Sequence, residues 1–313
     1  MKGCKISPLL RERVLYLGQE VCLENASELI HELVGVVVSD TTIHREIEQY
    51  GKQAETWIEE SISLPDPVRI EEHEVVYCEA DASMILTREA GWKEVKLGRI
   101  FRSDSIQDQR SEGNKIEASE YIGKLGHYTE FCDKMDMALQ KYSCQGPRLV
   151  FVSDGALWIK NWMNETYPEA TQILDYYHAV EHLGSMAEHL EKEHAGTWLK
   201  RYADKLLVEG IESTLRSLRA MPIKTKAGIK NKRDLIGYFE VNAYRMNYPE
   251  YDKLGYYIGS GAIESAHRTV VQKRLKLSGQ RWTIDGAQRV LNLRVLKMSG
   301  KWNIVREAIR SAA

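Results

Sequence analysis

The sequence predicts an α/β fold in which a mixed sheet is interrupted by a long helical segment and preceded by a small helical one. Two neighbouring stretches, 75–85 and 92–101, have the composition and alternation of paired strands. The stretch 148–155 is a nearly continuous apolar run, which is typical of a buried central strand. From 179 to 248 the apolar spacing is helical throughout, and no stretch alternates with period two.

Length and composition set broad limits on the class of protein. The chain has 313 residues, enough for about two domains, and its 43% hydrophobic and 28% charged residues are ordinary for a soluble globular protein. The five cysteines are an odd number with no Cys-x-x-Cys pair, which argues against a disulfide framework and a zinc finger. No apolar run approaches the length of a membrane span, and charged residues follow the start too soon for a secretory signal. We therefore expect a cytoplasmic protein without membrane contact.

Charge is spread unevenly along the chain. The formal net charge is −2, so the chain as a whole is not a basic nucleic-acid binder. Residues 265–313, however, contain eleven Lys or Arg and two acids, whereas residues 1–60 contain six Lys or Arg and eleven acids. A strongly basic C-terminal segment in an otherwise acidic chain favours a polyanionic partner for that segment.

The first 60 residues are predicted to be helical, with two short helices between residues 24 and 50. The first carries apolar residues at helical spacing and ends at Gly35. Ser39 or Asp40 caps the second, which is predicted to end at Gly51.

Two helices joined by a short turn are the pattern of a DNA-binding helix-turn-helix, but any helical hairpin gives the same pattern. Thr42, His44 and Arg45 are the exposed residues that could reach DNA, while Glu46 and Glu48 weigh against DNA binding. Both interpretations stay open at this point.

A linker and an α/β core follow the helical segment. The linker is marked by two prolines and little periodicity. Beyond the first two strands we expect a helix at 118–142, a helix at 158–167 and a strand at 170–177 closed by Asp175. The predicted segments are 1–60 (helical), 61–74 (linker), 75–182 (core, first part), 183–254 (helical insertion) and 255–313 (core, last part).

The stretch 259–282 organises the last part of the core. It opens with a Gly-Ser-Gly turn and is predicted to continue as a helix to Leu277, where a Ser-Gly pair stops it. At 100° per residue, Glu264 falls in line with Val271 and Leu275, inside the apolar stripe of that helix. A carboxylate at the buried margin of a helix is costly unless it is paired or binds a metal.

Three acids stand where a metal site would need them. Asp81 and Asp154 lie near the ends of predicted strands, and Glu264 lies at the start of a helix. Open sheets place ligands beyond the carboxyl ends of their strands, and carboxylates without His or Cys suit Mg²⁺ or Mn²⁺. Each acid also has a structural alternative: a strand cap, an Asp-Gly turn, and an ion pair with Arg268, respectively. The spacing alone leaves both open.

The sequence resembles bacterial insertion-sequence transposases of the Kra-type group, which belong to the DDE class and have an RNase H-like core. The resemblance spans about residues 75–302. It rests on VSDGALWI at 152–159, DYYHAVEHL at 175–183, GSGAIES at 259–265 and KRLKLSGQRW at 273–282. It implies an RNase H-like mixed sheet with a helical insertion before the last core helix. It also implies that Asp81, Asp154 and Glu264 are catalytic and bind two Mg²⁺ or Mn²⁺ ions.

The implied activity is cleavage of phosphodiesters at transposon ends, followed by transfer of the 3′-hydroxyl into target DNA. The implied partners are double-stranded DNA and further copies of the chain, in the bacterial cytoplasm and at the nucleoid when DNA is bound. Two alternatives remain: an inactive remnant that only binds DNA, and an RNase H-like nuclease without strand transfer. The N-terminal part is short for this family, which leaves open a copy that lacks an upstream region.

Further residues are assigned around this site. Asp175 and His178 match a D-x-x-H signature, in which His178 contacts a phosphate or tunes the metal site; a histidine bonded to Asp175 or to a helix end is the alternative. Trp282 belongs to the core or stacks on a base. The residues predicted to line a path for the DNA backbone are Arg268, Lys273, Arg274, Lys276 and Arg281.

Overall fold

The structure is a computed structural model that describes residues 6–63, 68–71, 73–109, 113–143, 148–190 and 192–312. The chain divides into two compact units. The first comprises Met1–Pro147 and Ala262–Ala313, and the second comprises Arg148–Gly261. The segment boundaries expected near 60 and 74 therefore lie inside the first unit, and those near 182 and 254 lie inside the second.

Three helices open the first unit: α1 (Pro8–Gly18), α2 (Leu23–Val34) and α3 (Asp40–Ser63). As predicted, α2 ends at Gly35, whose φ of 72° is the left-handed conformation that glycine adopts freely. The predicted end of the next helix at Gly51 is wrong, because α3 continues through it to Ser63. A Cβ on Gly51 would lie 2.6 Å from the carbonyl oxygen of Arg289, so this glycine makes room for a neighbouring backbone.

The first unit contains a three-stranded and a two-stranded antiparallel sheet. The predicted hairpin is confirmed as β1 and β2, and β5 pairs with the other edge of β2. The helix expected at 118–142 is wrong in its first part, where a short buried strand forms. The strands are β1 (Val75–Thr87), β2 (Gly91–Arg102), β3 (Ile106–Gln109), β4 (Gly113–Ile116) and β5 (Glu120–Leu125), and α4 (Tyr128–Ser143) follows them.

The second unit combines two parallel strands with a set of helices. The predicted buried strand is confirmed as β6 (Arg148–Ser153), which pairs in parallel with β7 (Thr171–Leu174). Between 183 and 254 every element of the described chain is helical. The helices are α5 (Leu157–Thr166), α6 (Tyr176–Ala187), α7 (Lys192–Val208), α8 (Ile211–Ala220), α9 (Lys226–Asn242) and α10 (Tyr248–Lys253).

The chain then returns to the first unit as one continuous helical run. It consists of α11 (Gly261–Ala266), a π-helical segment (His267–Gln272) and α12 (Lys273–Leu275). The helices α13 (Ile284–Met298) and α14 (Trp302–Ser311) complete the unit, and α13 packs against α3 and β5. No helix in the described ranges is long and apolar enough to cross a membrane.

Candidate functional site

Alternate residues of β1 face the helical run that begins at Gly261. Side chains two residues apart on a strand point to the same side, so Glu79, Asp81 and Ser83 share one face. Glu79 Oε2 accepts a hydrogen bond from the backbone N–H of Ile263 at 2.7 Å. Ser83 Oγ lies 3.1 Å from His267 Nδ1, and Asp81 Oδ2 lies 3.6 Å from His267 Nε2. The helical run therefore lies along the strand face that carries Asp81.

Arg99 completes the attachment of this run to the sheet. It stands opposite Glu79 in the β1–β2 register, and its Nη1 donates to the carbonyl oxygen of Ala262 at 2.8 Å. Glu79 and Arg99 are both buried. Together they bind one N–H and one C=O of the first helical turn, so the position of the next residue, Glu264, is fixed relative to β1.

Glu264 is exposed, and its predicted place inside the apolar stripe is wrong. The π-helical segment is the reason. A π-helix has about 4.4 residues per turn and an α-helix 3.6, so a mixed run repeats near every fourth residue. Glu264, Arg268 and Gln272 accordingly share an exposed row. The buried positions fall on two adjacent rows with the same spacing: Ala262, Ala266, Val270 and Arg274, and Ile263, His267, Val271 and Leu275.

Asp81 is half-buried beside a neutral histidine. The Asp81 side chain is 35% exposed, whereas that of His267 is 3% exposed. Burial lowers the pKa of His267 to about 4, so the imidazole is uncharged near pH 7. The imidazole lies beside the Asp81 carboxylate without cancelling its charge, and Asp81 Oδ1 accepts a hydrogen bond from the N–H of Ala82 at 2.6 Å.

Asp154 follows β6 in the second unit and lies in a tight turn. Its Oδ1 accepts a hydrogen bond from the N–H of Ala156 at 2.9 Å, and its carbonyl oxygen accepts one from the Tyr238 hydroxyl at 3.2 Å. Gly155 has a φ of 100°, and a Cβ there would lie 2.9 Å from the Tyr238 hydroxyl. The turn requires glycine at this position, and it directs the half-buried Asp154 beyond the end of the strand.

A buried arginine lies next to this turn. The Arg245 guanidinium donates to Ser153 Oγ at 3.2 Å and to Asn242 Oδ1 at 2.8 Å. Burial lowers the pKa of Arg245, and the charge of Asp154 acts in the opposite direction. Arg245 and Tyr238 come from the helical segment, about 80–90 positions beyond Asp154. Neither belongs to a recognisable motif, so the sequence alone does not point to either.

Asp175 has a structural role. The strand expected at 170–177 ends earlier, and Asp175 is the N-cap of α6, where its Oδ1 accepts from the N–H of Tyr177 at 2.8 Å. Its Oδ2 accepts a hydrogen bond from the hydroxyl of Ser260. His178 Nδ1 lies 3.3 Å from Glu181 Oε2 on the same helix. Within the second unit, Asp175 therefore fixes the Gly-Ser-Gly turn to the start of α6.

Arg274 does not lie on a DNA-binding surface, so that prediction is wrong. Its side chain is buried, and Nε donates to the carbonyl oxygen of Gly18 at 3.2 Å. The guanidinium lies 4.8 Å from the ring centroid of Trp282, whose Nε1 donates to the carbonyl oxygen of Leu275. Burial lowers the pKa of Arg274 to about 10. Arg274 and Trp282 thus form part of the internal packing of the first unit.

Much of the basic C-terminal segment is paired with acids of the same unit, most of them near the N-terminus. Lys273, Lys297 and Arg294 surround Glu20. Burial alone would raise the pKa of Glu20, but hydrogen bonds from the two lysines and the charge of Arg294 lower it to about 2. The other pairs are Arg289–Glu48, Lys301–Glu120 and Arg306–Glu12.

Ion pairs therefore compensate much of the basic C-terminal segment, and a smaller basic surface remains. Lys273 is 60% exposed although it pairs with Glu20. Arg268, Lys276 and Arg281 are exposed and form no ion pair within the described residues. These three are the residues of the predicted DNA path that retain an available charge.

The donor chemistry of the three acids suits a hard divalent cation. Asp81 and Asp154 are half-buried and Glu264 is exposed, so water and ions can reach all three. Asp81 and Glu264 belong to the first unit and Asp154 to the second. No group of three or more His, Cys, Asp or Glu placed to hold a metal ion occurs in the ranges that the structure describes. The shared metal site stays a prediction.

The chain is similar to one curated protein whose name states no activity. No family model matches the chain. It is 22% identical over 320 aligned residues to the "UPF0236 protein in vanSb 3'region" of Streptococcus gallolyticus. The alignment covers 96% of this chain and 65% of that relative, so the chain spans less than two thirds of the relative's length.

Proposed function

We propose that this protein is a DDE-type DNA transposase, which cleaves phosphodiesters at the ends of a mobile element and joins the freed 3′-hydroxyl to target DNA. The observation that carries the proposal is the hydrogen bond from Ile263 N–H to Glu79, with the Arg99–Ala262 bond beside it. These bonds hold the helix that bears Glu264 to the strand that bears Asp81. They support a role for both acids in one reaction.

In this proposal Asp81, Asp154 and Glu264 hold two Mg²⁺ or Mn²⁺ ions. Bound divalent ions would supply an activated nucleophile and stabilise the leaving oxygen of the phosphodiester. The surrounding residues orient the acids. The N–H of Ala82 binds Asp81, and the turn at Gly155 positions Asp154.

Two surfaces of the first unit are proposed to bind the DNA backbone. One comprises Arg268, Lys276 and Arg281, which are exposed and unpaired in the described chain. Such contacts add affinity without selecting a sequence.

The second proposed surface lies at the start of α3, where His44 and Arg45 are exposed. The acids that weighed against DNA binding there are paired inside the fold. Glu46 binds Arg11 at 2.8 Å, and Glu48 binds Arg289. Internal pairing reduces the repulsion that these acids would exert on a phosphate, which favours the helix-turn-helix interpretation.

Cleavage and joining assays test the proposal. Labelled duplexes carrying the ends of the element around the reading frame would be incubated with the full chain, a target plasmid, and either Mg²⁺ or a chelator. We expect metal-dependent cleavage and joined products. We expect Asp81→Asn, Asp154→Asn and Glu264→Gln each to lower the rate at least about 100-fold, which corresponds to about 2.7 kcal/mol of barrier. Asp234→Asn, a change at an exposed acid of α9, is the matched control.

The same assays separate the alternatives. Metal-dependent cleavage without joined products would identify a nuclease of this fold, and DNA binding without cleavage would identify a remnant. Cleavage that persists in all three acid variants would contradict the assignment of the catalytic residues.

A further inference from the structure

A cleft of about 340 Å³ lies in the first unit beside the tip of the β1–β2 hairpin. Its apolar wall includes Met84, Leu86, Trp92 and Leu277. Trp92 is 62% exposed, and Met84 and Leu277 are each 40% exposed. A single exposed apolar residue is ordinary, but a large aromatic ring and two aliphatic side chains around one concavity mark a binding surface.

The rim of this cleft is basic. Lys276 and Arg281 line it, and no acidic side chain is among its described lining residues. Both cations are exposed and unpaired in the part of the chain that the structure describes. An aromatic surface with a positively charged rim complements a ligand that combines a flat ring with a negative charge. A nucleotide unit of a DNA strand has both properties.

The backbone holds the rim against the hairpin. The N–H of Trp282 donates to the carbonyl oxygen of Leu86 at 3.2 Å, and the N–H of Arg88 donates to the carbonyl oxygen of Trp282 at 2.8 Å. These bonds extend β1 by a short parallel bridge between Thr87 and Trp282. Arg281 is therefore held near Trp92 by the sheet, so the site does not depend on a free loop.

We propose that this cleft binds one unpaired nucleobase of a DNA strand, with the base stacked on Trp92 and the flanking phosphates contacted by Lys276 and Arg281. The inference rests on the proposed function and adds a preference for unpaired strand. Base pairs in a duplex are stacked on one another and offer no free ring face, whereas an unpaired base does. The cleft is at the small end of ligand pockets, which run from about 300 to 1,000 Å³, and this size suits one nucleotide.

Binding measurements on three DNA ligands test the proposal. Fluorescence polarisation would compare an oligothymidylate of roughly 10 nucleotides, the same oligomer with abasic positions, and a blunt duplex. The proteins would be the full chain and its Trp92→Ala, Trp92→Phe and Lys276→Ala variants. Ile229→Ala, which truncates an exposed apolar side chain on α9 of the second unit, is the control. Thermal melting would establish that each variant is folded.

Trp92→Ala should weaken binding of the oligothymidylate by about 5- to 100-fold and leave duplex affinity within about twofold. Trp92→Phe should keep most of the affinity, because its ring still stacks. The abasic oligomer should bind the wild type and Trp92→Ala with the same affinity, because it has no base that could stack on the indole ring. Lys276→Ala should lower the affinity for all three ligands.

Four outcomes would overturn this inference. Trp92→Ala could bind DNA with the same affinity as Ile229→Ala, or it could lose affinity for duplex and single strand equally. Either result would show that no base binds in the cleft. If the wild type binds duplex but not single strand, no base binds in the cleft, and the proposed function stays intact. A wild type that binds no DNA of any form would contradict both.

Discussion

The buried carboxylate of Glu79 accepts a 2.7 Å hydrogen bond from the backbone N–H of Ile263. The first N–H groups of a helix lack partners within it, and a carboxylate there is also favoured by the helix dipole. Glu79 thus fixes the start of the run that carries Glu264, and the same strand presents Asp81 two residues later. One strand therefore both holds the helix and supplies a second acid.

Glu79→Ala should destabilise the protein by about 2–4 kcal/mol, because it leaves a buried N–H unsatisfied and a cavity beneath the helix. Glu79→Gln keeps a carbonyl acceptor and should cost less. Urea unfolding of both variants gives the two values. Glu117→Ala, at an exposed position between β4 and β5, is the control. Equal stabilities for Glu79→Ala and the control would show that the bond does not hold the helix.

Gly51→Ala should destabilise the protein by about 1–3 kcal/mol, because its Cβ would lie 2.6 Å from the backbone oxygen of Arg289. Gly237→Ala is the matched control in α9, where an added Cβ meets nothing within 4 Å. That change should stabilise by about 0.5–1 kcal/mol through helix propensity. Thermal melting distinguishes the two. Stabilisation by both alanines would refute the close packing at Gly51.

His267 should make stability depend on pH between 6.5 and 4. Its pKa is lowered from 6.5 to about 4 in the folded protein. The unfolded chain therefore binds more protons in this window, and stability falls as the pH is lowered. The stability linked to the neutral imidazole is fully present above pH 6.5. Lowering the pH below 4 should remove at most about 3 kcal/mol of it.

His267→Leu removes this titration, so its stability should fall less than that of the wild type between pH 6.5 and 4. Urea midpoints at several pH values measure the difference. Parallel curves for the two proteins would show that His267 is not held neutral.

Arg274 and Lys276 should separate stability from DNA binding. Arg274→Ala removes a buried guanidinium from Trp282 and should cost about 2–4 kcal/mol of stability. Lys276→Ala should change stability by less than about 0.5 kcal/mol. It should weaken binding to all DNA sequences and make the salt dependence of log K shallower by about 0.9. An unchanged salt slope for Lys276→Ala would place the DNA backbone elsewhere.

Strand pairs and helix starts were predictable where the pattern is local. The alternation in β1 and β2 and the apolar run of β6 predicted those strands. Local rules failed where packing decides. A glycine at position 51 predicts a helix end, but this glycine instead makes room for the backbone of Arg289. The local pattern predicts helix where β5 forms, because the burial that favours a strand there depends on distant parts of the chain.

The surroundings of the three acids were not predictable from the sequence. A repeat of 3.6 residues placed Glu264 in the apolar stripe, whereas the π-helical segment shifts the repeat toward four and exposes it. The charge asymmetry is visible in the sequence, but the ion pairs between the basic and acidic segments are not. The pairs Lys297–Glu20 and Arg306–Glu12 join residues 277 and 294 positions apart, which spacing cannot reveal.

We expect Asp81, Asp154 and Glu264 to bind the same divalent ions, and Fe²⁺-directed backbone cleavage would reveal this shared binding. Fe²⁺ replaces Mg²⁺ at carboxylate sites and, with a reductant and peroxide, cuts the chain beside its ligands. A shared site should give three cuts, near residues 81, 154 and 264, that excess Mg²⁺ suppresses together and that Asp154→Asn abolishes together. Cuts near 81 and 264 that persist in Asp154→Asn, or cuts elsewhere only, would contradict it.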